Sequence, residues 1–440
     1  MKYLYLSVII VLLGACASIE NTKSPLTQEI AAVEVVQEVS DLTTVSQDIN
    51  TYTQNLHFTS LGSQDEYEKK YFRVWNIDTI SISSKDAQWA HRSYTYGKSY
   101  GVNLQLLDKS FFQEMLTKAN FEAYASINKN AVSLKTLSLR AFPTQEALLL
   151  DPSRAGEGFP FDYLQNSLIS ANKPLIISHY SRDGEWAFVE SSFAFGWVKR
   201  RDISLLDKKY TDLWQEAEQI FITKDGVPIY GENDFLFNSR LGMMFALISE
   251  DEESYTVLSI SNYKNSKPLY LKSKLSKSIA HKGILEFNAQ NINSIFTSLS
   301  DVVYGWGGMY EQRDCSSTLR DFYAPFGLWL PRNSYKQSLS GELISLEGLS
   351  DKEKLNKISL ATPFRTLVYK KGHIALYVGS IETKVIIYQN VWGVKTLKDG
   401  VEGRFIVGKP VFSTLEIGKN LKEYDATSSM LKKAKSITKL

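Results

Sequence analysis

The chain has 440 residues, of which 43% are hydrophobic, 22% charged and 12% aromatic. This length exceeds one ordinary domain and this composition can bury a core, so disorder and fibrous structure are excluded as the main state. The 50 lysines and arginines nearly balance 48 acidic residues, for a net charge of +2, which argues against a nucleic-acid binder. Cys16 and Cys315 are the two cysteines of the sequence, which excludes a disulfide framework and a cysteine zinc site.

The first 16 residues have the pattern of an export signal. Lys2 precedes an apolar run over 4–13, which is too short for a permanent membrane span. The run ends in Gly-Ala-Cys at 14–16 and resembles a bacterial lipobox, although an ordinary signal peptide that contains a cysteine is the alternative. A lipobox implies cleavage before Cys16 and a lipid on its thiol, with Ala17 favouring the outer membrane and a periplasmic orientation. Cys315 is then the free thiol of an exported protein.

The remaining chain divides by composition into six further segments. The first of these segments is mostly polar, and the second has mixed helical spacing. The third and fourth contain short β-rich runs separated by Gly and Asp turns, which predicts two small barrels. The expected segments are a signal peptide over 1–15, a tether over 16–70, a helical subdomain over 71–130, barrels over 131–205 and 206–280, a catalytic domain over 281–417, and a basic tail or docked helix over 418–440.

The strongest chemical motif surrounds Cys315. Asp314 precedes residues with helical spacing and predicts a helix N-cap, which puts Cys315 at the first helical position and the helix end near Gly327. A thiol at a helix N-terminus faces the positive end of the helix dipole and unpaired N–H groups. These groups favour the nucleophilic thiolate and can stabilise an oxyanion.

A cysteine nucleophile needs a base, and His373 is the histidine with a suitable position. It begins an alternating strand, GHIALYVGS, which is followed by a second strand, VIIYQNVWGV. A hairpin centred on Ile381 would place His373 opposite Gln389, whose amide could orient the imidazole. A shift by one residue would put Asn390 there instead, and a buried structural histidine is the competing interpretation.

The run YGWGG, then RDCSSTLRDFYAPFGLWLPRNS, GHIALYVG and YQNVWG, resembles the NlpC/p60 cell-wall cysteine peptidases. LRAFPT, SHYSRDGEWAFVES and GWVKRRDI upstream are similar to the subfamily with two bacterial SH3-like domains, so the resemblance covers about 70–440. It implies an α+β fold, a papain-like catalytic domain preceded by a small helical region and two SH3-like β-barrels. Many relatives have His where this chain has Gln389.

The resemblance also implies a reaction: cleavage of the bond between γ-D-glutamate and a diamino acid, usually diaminopimelate, in peptidoglycan stem peptides. It implies no metal and no organic cofactor. Relatives with SH3-like domains tend to require a free N-terminal L-alanine, whose amine the residues matching Asp314 and Ser316 recognise. Tyr304 and Trp306 resemble the loop that lines the active site, while Arg332 is expected to brace the fold.

Weaker candidates and two alternative functions remain at this point. Phe161, Asp162 and Trp186 are weak candidates for the groove wall, and His179 is expected to be structural. A non-catalytic, membrane-anchored scaffold that binds wall peptides is the first alternative. A thiol amidase or acyltransferase acting on another substrate is the second, since one fold supports several chemistries. The oligomeric state is not predicted.

Overall fold

The computed structural model describes residues 38–440, apart from 59, 233 and 264–266. Short helices dominate its first part. They are α1 (Asp41–Thr44), α2 (Asn50–Thr53), α3 (Gln64–Tyr71), α4 (Ser84–Ala87), α5 (Trp89–Ser93) and α6 (Lys109–Ala119). The side chain of Ser63 caps α3 by accepting a hydrogen bond from the backbone N–H of Glu66. Tyr67 and Tyr71 on α3 enter a buried aromatic cluster shared with both barrels.

The first barrel is a seven-stranded antiparallel sheet. Its strands are β1 (Lys129–Ser133), β2 (Leu137–Arg140), β3 (Gln165–Ile169), β4 (Pro174–Tyr180), β5 (Trp186–Ser191), β6 (Phe195–Lys199) and β7 (Ile203–Leu205), in the spatial order β3-β2-β6-β5-β4-β1-β7. A long loop joins β2 to β3, and a buried ion pair between Arg140 and Asp162, 2.5 Å apart, fixes its end. This loop carries Phe161 towards the catalytic domain.

The second barrel follows helix α7 (Lys208–Glu216) and has a divided sheet. Its strands are β8 (Gln219–Ile222), β9 (Pro228–Gly231), β10 (Asp234–Asn238), β11 (Met244–Glu250), β12 (Ser254–Tyr263), β13 (Lys267–Ser276) and β14 (Ala280–Lys282). Five of them pair in the order β13-β12-β11-β8-β14, while β9 and β10 form a separate hairpin. The turn after β8 carries Asp225 into contact with the catalytic domain.

The last domain packs helices on both faces of a six-stranded sheet. The helices are α8 (Ala289–Leu299), α9 (Cys315–Tyr323), α10 (Ser334–Gln337), α11 (Asp351–Ser359) and α12 (Met430–Lys433). The strands are β15 (Glu342–Ser345), β16 (Thr366–Lys370), β17 (His373–Ile381), β18 (Lys384–Lys398), β19 (Val401–Thr414) and β20 (Ser436–Lys439), in the order β15-β20-β16-β17-β18-β19. Phe296 of α8 and Phe322 of α9 pack on one face of the sheet, and Ile358 of α11 on the other.

The segment expected to be a tether packs on the body wherever the structure describes it. Val39 is completely buried, and the Asp41 carboxylate accepts a hydrogen bond from the backbone N–H of Thr414 at 2.8 Å. Tyr52 stacks on Phe412 with ring centroids 4.7 Å apart. The tether prediction is therefore wrong for the described part of 39–70, because apolar residues scattered through the polar sequence pack on the catalytic domain and, at Tyr67, on the barrels.

The predicted C-terminal helix is also different. Met430 and Leu431 are buried as expected, but α12 ends at Lys433 and the chain continues as β20. This strand inserts between β15 and β16, with Ile437 paired to Ile344 and Val368. Pairing with two strands overrides the helical pattern, since β-branched residues suit a buried strand. Among the described residues, no helix has the length and hydropathy of a membrane span.

Candidate active site

The predicted nucleophile lies at the first position of α9. Asp314 caps this helix: its carboxylate accepts from the backbone N–H of Ser317 at 2.9 Å, and the Ser317 hydroxyl accepts from the backbone N–H of Asp314 at 2.9 Å. After α9 a short 3-10 turn leads to Gly327, which has a left-handed φ of 72°. The helix start and end agree with the sequence prediction. Cys315 is buried, 7% exposed, against β17.

A chain of hydrogen bonds fixes the tautomer of His373. The Ser413 hydroxyl donates to the carbonyl of Thr414 at 3.0 Å, so it accepts from the amide Nε2 of Gln389 at 2.7 Å. This orients the Gln389 amide oxygen towards His373 Nε2, 2.7 Å away. His373 Nε2 must therefore carry the proton, and Nδ1 is left as the basic nitrogen. Gln389 thus occupies the orienting position.

The register that brings these two side chains together differs from the predicted one. Ile381 pairs with Lys384, and a bulge between Tyr377 and Gly379 shifts the pairing so that Leu376 lies opposite Tyr388. Continued towards the start of β17, this register puts Gln389 two residues from the position opposite His373. Direct opposition is therefore wrong, but both side chains share a face because the difference is an even number of residues.

Asn390, the alternative orienting residue, points elsewhere. Its amide nitrogen donates to the carbonyl of Arg313 at 2.8 Å and to the hydroxyl of Thr318 at 2.9 Å. It therefore ties β18 to the loop and helix that carry Cys315.

In the resting site, electrostatics favour a neutral Cys315 thiol and a neutral His373 imidazole. Burial, and then the carboxylate of Asp314, raise the pKa of Cys315 to about 12. Burial and the ammonium of Lys370 lower the pKa of His373 to about 4, although the hydrogen bond to Gln389 acts in the opposite direction. The thiolate expected from the helix N-terminus is thus not the favoured resting form, because loss of hydration outweighs the helix dipole. His373 is unprotonated and free to accept a proton.

Asp314 and Ser316 lie together in a buried network with Arg332. Burial disfavours the charge on Asp314, but Arg332, with Nη2 at 2.7 Å from the carboxylate, lowers the pKa of Asp314 below its usual value. Arg332 Nη1 also donates to the Ser316 hydroxyl at 2.9 Å, and Nε donates to Ser167 of the first barrel at 2.7 Å. Arg332 therefore braces the cap of α9 against the first barrel.

Aromatic side chains from two domains wall the site. Tyr304 lies beside Trp392, with ring centroids 5.9 Å apart, and burial followed by the nearby Cys315 raises the pKa of its hydroxyl. Trp306 packs between Phe161 and Tyr163 of the first barrel, at 5.3 and 5.4 Å. Tyr304 and Phe161 line the pocket that contains His373, whereas Trp306 supports this wall from the side.

The other candidates in the first barrel are structural. Asp162 is held by Arg140, and Trp186 is 1% exposed in the core. His179 is completely buried, with Nε2 3.0 Å from the carbonyl oxygen of Ala119. Cys16, the predicted lipidation site, lies outside the described residues.

Sequence reasoning missed the ion network behind the nucleophile. Arg313 is 1% exposed; Nε donates to Asp321 at 2.7 Å, and the guanidinium also pairs with Asp225 of the second barrel. Arg240 reaches Asp321 from the second barrel at 3.3 Å. No local sequence motif indicates such a network, because its members lie far apart in the sequence. Within the described residues, no three His, Cys, Asp or Glu side chains converge as metal ligands would.

These features define a class of protein, a thiol hydrolase whose catalytic domain follows two small barrels. Its buried cysteine lies at a helix N-terminus packed on β17, the strand that begins with His373, and an amide orients that histidine. Four family models match the chain in the corresponding order. They are the NLPC_P60 stabilising domain (N term) over 5–124, the SH3 domain of SH3b1 type over 148–199, the SH3 domain of SH3b2 type over 207–252, and the NlpC/P60 family over 301–397.

Two solved structures are similar to this chain. An NlpC/P60 endopeptidase from Photobacterium damselae subsp. piscicida superimposes with a TM-score of 0.76 at 21% identity, covering 90% of this chain and 97% of its own. An NlpC/P60 family protein from Bacillus cereus ATCC 10987 has a TM-score of 0.43 at 17% identity, covering 62% of this chain and 81% of its own. No curated protein sequence matches the chain.

The domain over 301–397 belongs to the NlpC/P60 family, and the chain is a cysteine peptidase with two SH3-like domains. The predicted fold class is confirmed: an α+β chain with a helical N-terminal region, two SH3-like barrels and an NlpC/P60 domain. Membership of this family is consistent with an endopeptidase of the peptidoglycan-hydrolase type.

Proposed function

We propose that this peptidase cleaves the bond between γ-D-glutamate and the diamino acid, usually diaminopimelate, of peptidoglycan stem peptides. The observation that carries the proposal is the hydrogen bond between His373 and Gln389, 2.7 Å long, together with the packing of α9, which begins with Cys315, on the strand of His373. Thiol chemistry on an amide needs this set of groups. Phe161 of the first SH3-like barrel and Tyr304 of the NlpC/P60 domain wall the pocket at His373, which suits an extended peptide stem.

The proposed mechanism begins from the neutral pair. His373 Nδ1 takes the thiol proton as the Cys315 sulfur attacks the γ-glutamyl carbonyl, so charge separation and attack occur together. The backbone N–H groups at the start of α9, with the hydroxyl of Tyr304, stabilise the tetrahedral oxyanion. His373 then protonates the departing diamino-acid nitrogen, which leaves an L-Ala-D-Glu thioester. Water, activated by His373, hydrolyses this thioester and restores the thiol. No metal or organic cofactor enters the scheme.

Recognition of a free N-terminal L-alanine is part of the proposal, with Asp314 and Ser316 as the residues that meet its amine. Ser316 donates to the Asp314 carboxylate at 3.1 Å, so the two groups present one polar surface. The ion pair with Arg332 already neutralises much of the Asp314 charge. We therefore expect the alanine amine to bind mainly through hydrogen bonds to the Asp314 and Ser316 oxygens, and less through charge attraction to Asp314.

The test uses wild type and Cys315→Ala with L-Ala-γ-D-Glu-diaminopimelate, and with the same peptide acetylated on its alanine amine. Mass spectrometry should find L-Ala-D-Glu and diaminopimelate with wild type and no product with Cys315→Ala. Slower cleavage of the acetylated peptide supports amine recognition, whereas equal cleavage removes it. Absence of cleavage by an active-thiol enzyme would favour another amide substrate, and an unreactive thiol would favour the non-catalytic scaffold.

The second part of the proposal concerns location. We infer that the protein is exported and anchored by a lipid on Cys16 to a bacterial membrane, the outer membrane facing the periplasm. The support is the sequence pattern of an apolar run ending in Gly-Ala-Cys. In a bacterial host, wild type should fractionate with membranes and Cys16→Ser should not; equal distribution of the two would contradict the anchor.

A further inference from the structure

One pocket extends from His373 away from Asp314, Ser316 and Arg332. The first barrel contributes Phe161 to its wall, and β18 contributes Gln389 and Trp392. The end of β16 contributes Lys370, and β19 contributes Arg404. The pocket therefore lies on the side of the nucleophile that holds the general acid, and it carries two cationic side chains that the cleavage chemistry leaves unused.

Both cations retain free N–H donors, although Arg404 lies near enough to Glu402 to help Lys395 lower the pKa of that carboxyl. Lys370 Nζ donates one hydrogen bond, to the carbonyl of Ser428 at 2.9 Å, and Arg404 Nη1 donates one, to the carbonyl of Gly403 at 2.8 Å. No ion pair of either residue occurs within 4.0 Å in the described part of the chain. An ammonium has three N–H donors and a guanidinium five, so most remain available.

Lys395, on the same pocket wall, shows the contrast. Its Nζ pairs with Glu402 and, at 3.3 Å, with Asp425. Among the described residues, the wall therefore holds one cation paired with two carboxylates and two cations that have no carboxylate oxygen within 4.0 Å. Burial, and then the charge of Arg404, lower the pKa of Lys370 to about 8, so the two cations lie close enough to repel each other. An anion bound between them would relieve this repulsion.

The position of Lys370 and Arg404 in the pocket at His373 indicates which part of the substrate carries the anionic group that they bind. A general acid protonates the nitrogen that departs, so the leaving amino acid lies against His373. We propose that Lys370 and Arg404 form a carboxylate-binding subsite for the amino acid released by cleavage. The inference rests on the proposed function and deepens it: the subsite selects a leaving residue that carries negative charge. In diaminopimelate this charge comes from the side-chain carboxylate or the α-carboxylate.

Three peptides distinguish the two carboxylates. L-Ala-γ-D-Glu-diaminopimelate has both, the peptide ending in L-lysine lacks the side-chain carboxylate, and the peptide ending in L-lysine amide lacks both. We expect kcat/KM to fall about tenfold or more when the recognised carboxylate is removed, because charge-assisted hydrogen bonds are lost. If kcat/KM falls only between the lysine peptide and the lysine amide peptide, the subsite binds the α-carboxylate. If kcat/KM already falls between the diaminopimelate peptide and the lysine peptide, the subsite binds the side-chain carboxylate. Equal kcat/KM for all three peptides overturns the subsite.

The variants test whether Lys370 and Arg404 cause the preference. Lys370→Met and Arg404→Met should lose most of the preference for the charged peptides, mainly through KM, while Lys370→Arg and Arg404→Lys should keep it. Lys395→Met is the matched control, and it should keep the wild-type ratio between peptides. If Lys370 acts only on the charge of Cys315, Lys370→Met slows all three peptides by the same factor, and the proposal is overturned for that residue.

A binding measurement separates failure of the subsite from failure of the proposed function. If wild type cleaves none of the peptides, the proposed cleavage reaction is contradicted. Calorimetric titration of Cys315→Ala with the same peptides still measures whether the subsite binds them. Tighter binding of the diaminopimelate peptide, lost with the added Arg404→Met change, supports the subsite. Equal affinities, or no binding, overturn it. Melting temperatures of all variants show whether each one is folded.

Discussion

At the residue scale, the most informative contact is the one between His373 and Gln389. Relatives often use a second histidine here, but an amide can fix a tautomer equally well because it has a defined acceptor. The hydrogen bond from Gln389 to Ser413 makes this orientation unique. An amide cannot add charge to stabilise an imidazolium, and the low pKa of His373 agrees with a base that is neutral at rest.

Replacement of Gln389 by alanine should lower kcat by about 10²-fold or more while KM changes little, since the imidazole loses its orientation during proton transfer. Steady-state kinetics on the diaminopimelate peptide measures this. Ser413→Ala should have the same direction and a smaller effect, because it acts through the Gln389 amide. An unchanged kcat in Gln389→Ala would show that packing alone orients His373.

The pH dependence follows from the same residue. The pKa of His373 is lowered from 6.5 to about 4, so the imidazole stays unprotonated, and able to act as a base, down to about pH 4. The acid limb of the kcat/KM profile should therefore lie well below 6.5. Rates measured between pH 4 and pH 8, with the folded state checked by circular dichroism, test this. An acid limb centred near 6.5 would show that His373 is hydrated rather than buried.

At the element scale, the hairpin of β17 and β18 shows why the site was only partly predictable. The alternation of apolar residues identified both strands and the face that His373 shares with Gln389. The true turn lies one to two residues further along the chain than predicted. The bulge at Gly379, where φ is 137°, shifts the pairing by one residue, so His373 and Gln389 still point to the same face of the sheet. A bulge leaves almost no trace in an alternating pattern, so the exact register needs the three-dimensional structure.

The catalytic helix was more predictable than the edges of the domain. Asp314, Cys315 and Gly327 mark the two ends of α9 and its following turn by local chemistry, which sequence reveals directly. The packing of 38–58 and the strand β20 depend on partners far away along the chain. The pocket cations Lys370 and Arg404 were missed for the same reason, since the topology alone brings them together.

The inner strand β20, paired on both sides, gives a prediction about stability. Ile437 is 1% exposed between β15 and β16, so Ile437→Ala should lower the free energy of unfolding by about 2–5 kcal/mol. Urea denaturation followed by tryptophan fluorescence measures this. Lys435→Ala is the control on the same segment; its exposed pair with Glu347 should leave stability unchanged. Equal stability of both variants would contradict a structural role for β20.

At the scale of the whole molecule, the barrels hold the catalytic loop in place. Gln165 of the first barrel donates to the carbonyl of Gly307 at 3.2 Å, and a side chain at Gly307 would collide with the Gln165 backbone. Asp225 of the second barrel pairs with Arg313, directly before the nucleophile's N-cap. Both barrels therefore act on the loop and helix start that carry Tyr304 and Cys315, in addition to shaping the groove.

Removal of the Asp225 charge tests this long-range role. Asp225→Asn leaves Arg240, Arg313 and Arg320 around the single Asp321 carboxylate, and we expect a loss of about 3 kcal/mol in unfolding free energy. It should also lower kcat, because Arg313 positions the loop. Asp251→Asn, at an exposed pair with Lys274, is the control and should change neither quantity. Unchanged activity and stability in Asp225→Asn would show that the ion pair from the second barrel does not support the site.

In the proposed reaction, Cys315 directs hydrolysis to the γ-glutamyl carbonyl. The most direct measurement is cleavage of L-Ala-γ-D-Glu-diaminopimelate in water enriched in oxygen-18, followed by tandem mass spectrometry of the products. The heavy oxygen should enter the γ-carboxyl group of the released L-Ala-D-Glu, and Cys315→Ala should yield no labelled product. Label at any other carboxyl group, or equal labelling with Cys315→Ala, would contradict it.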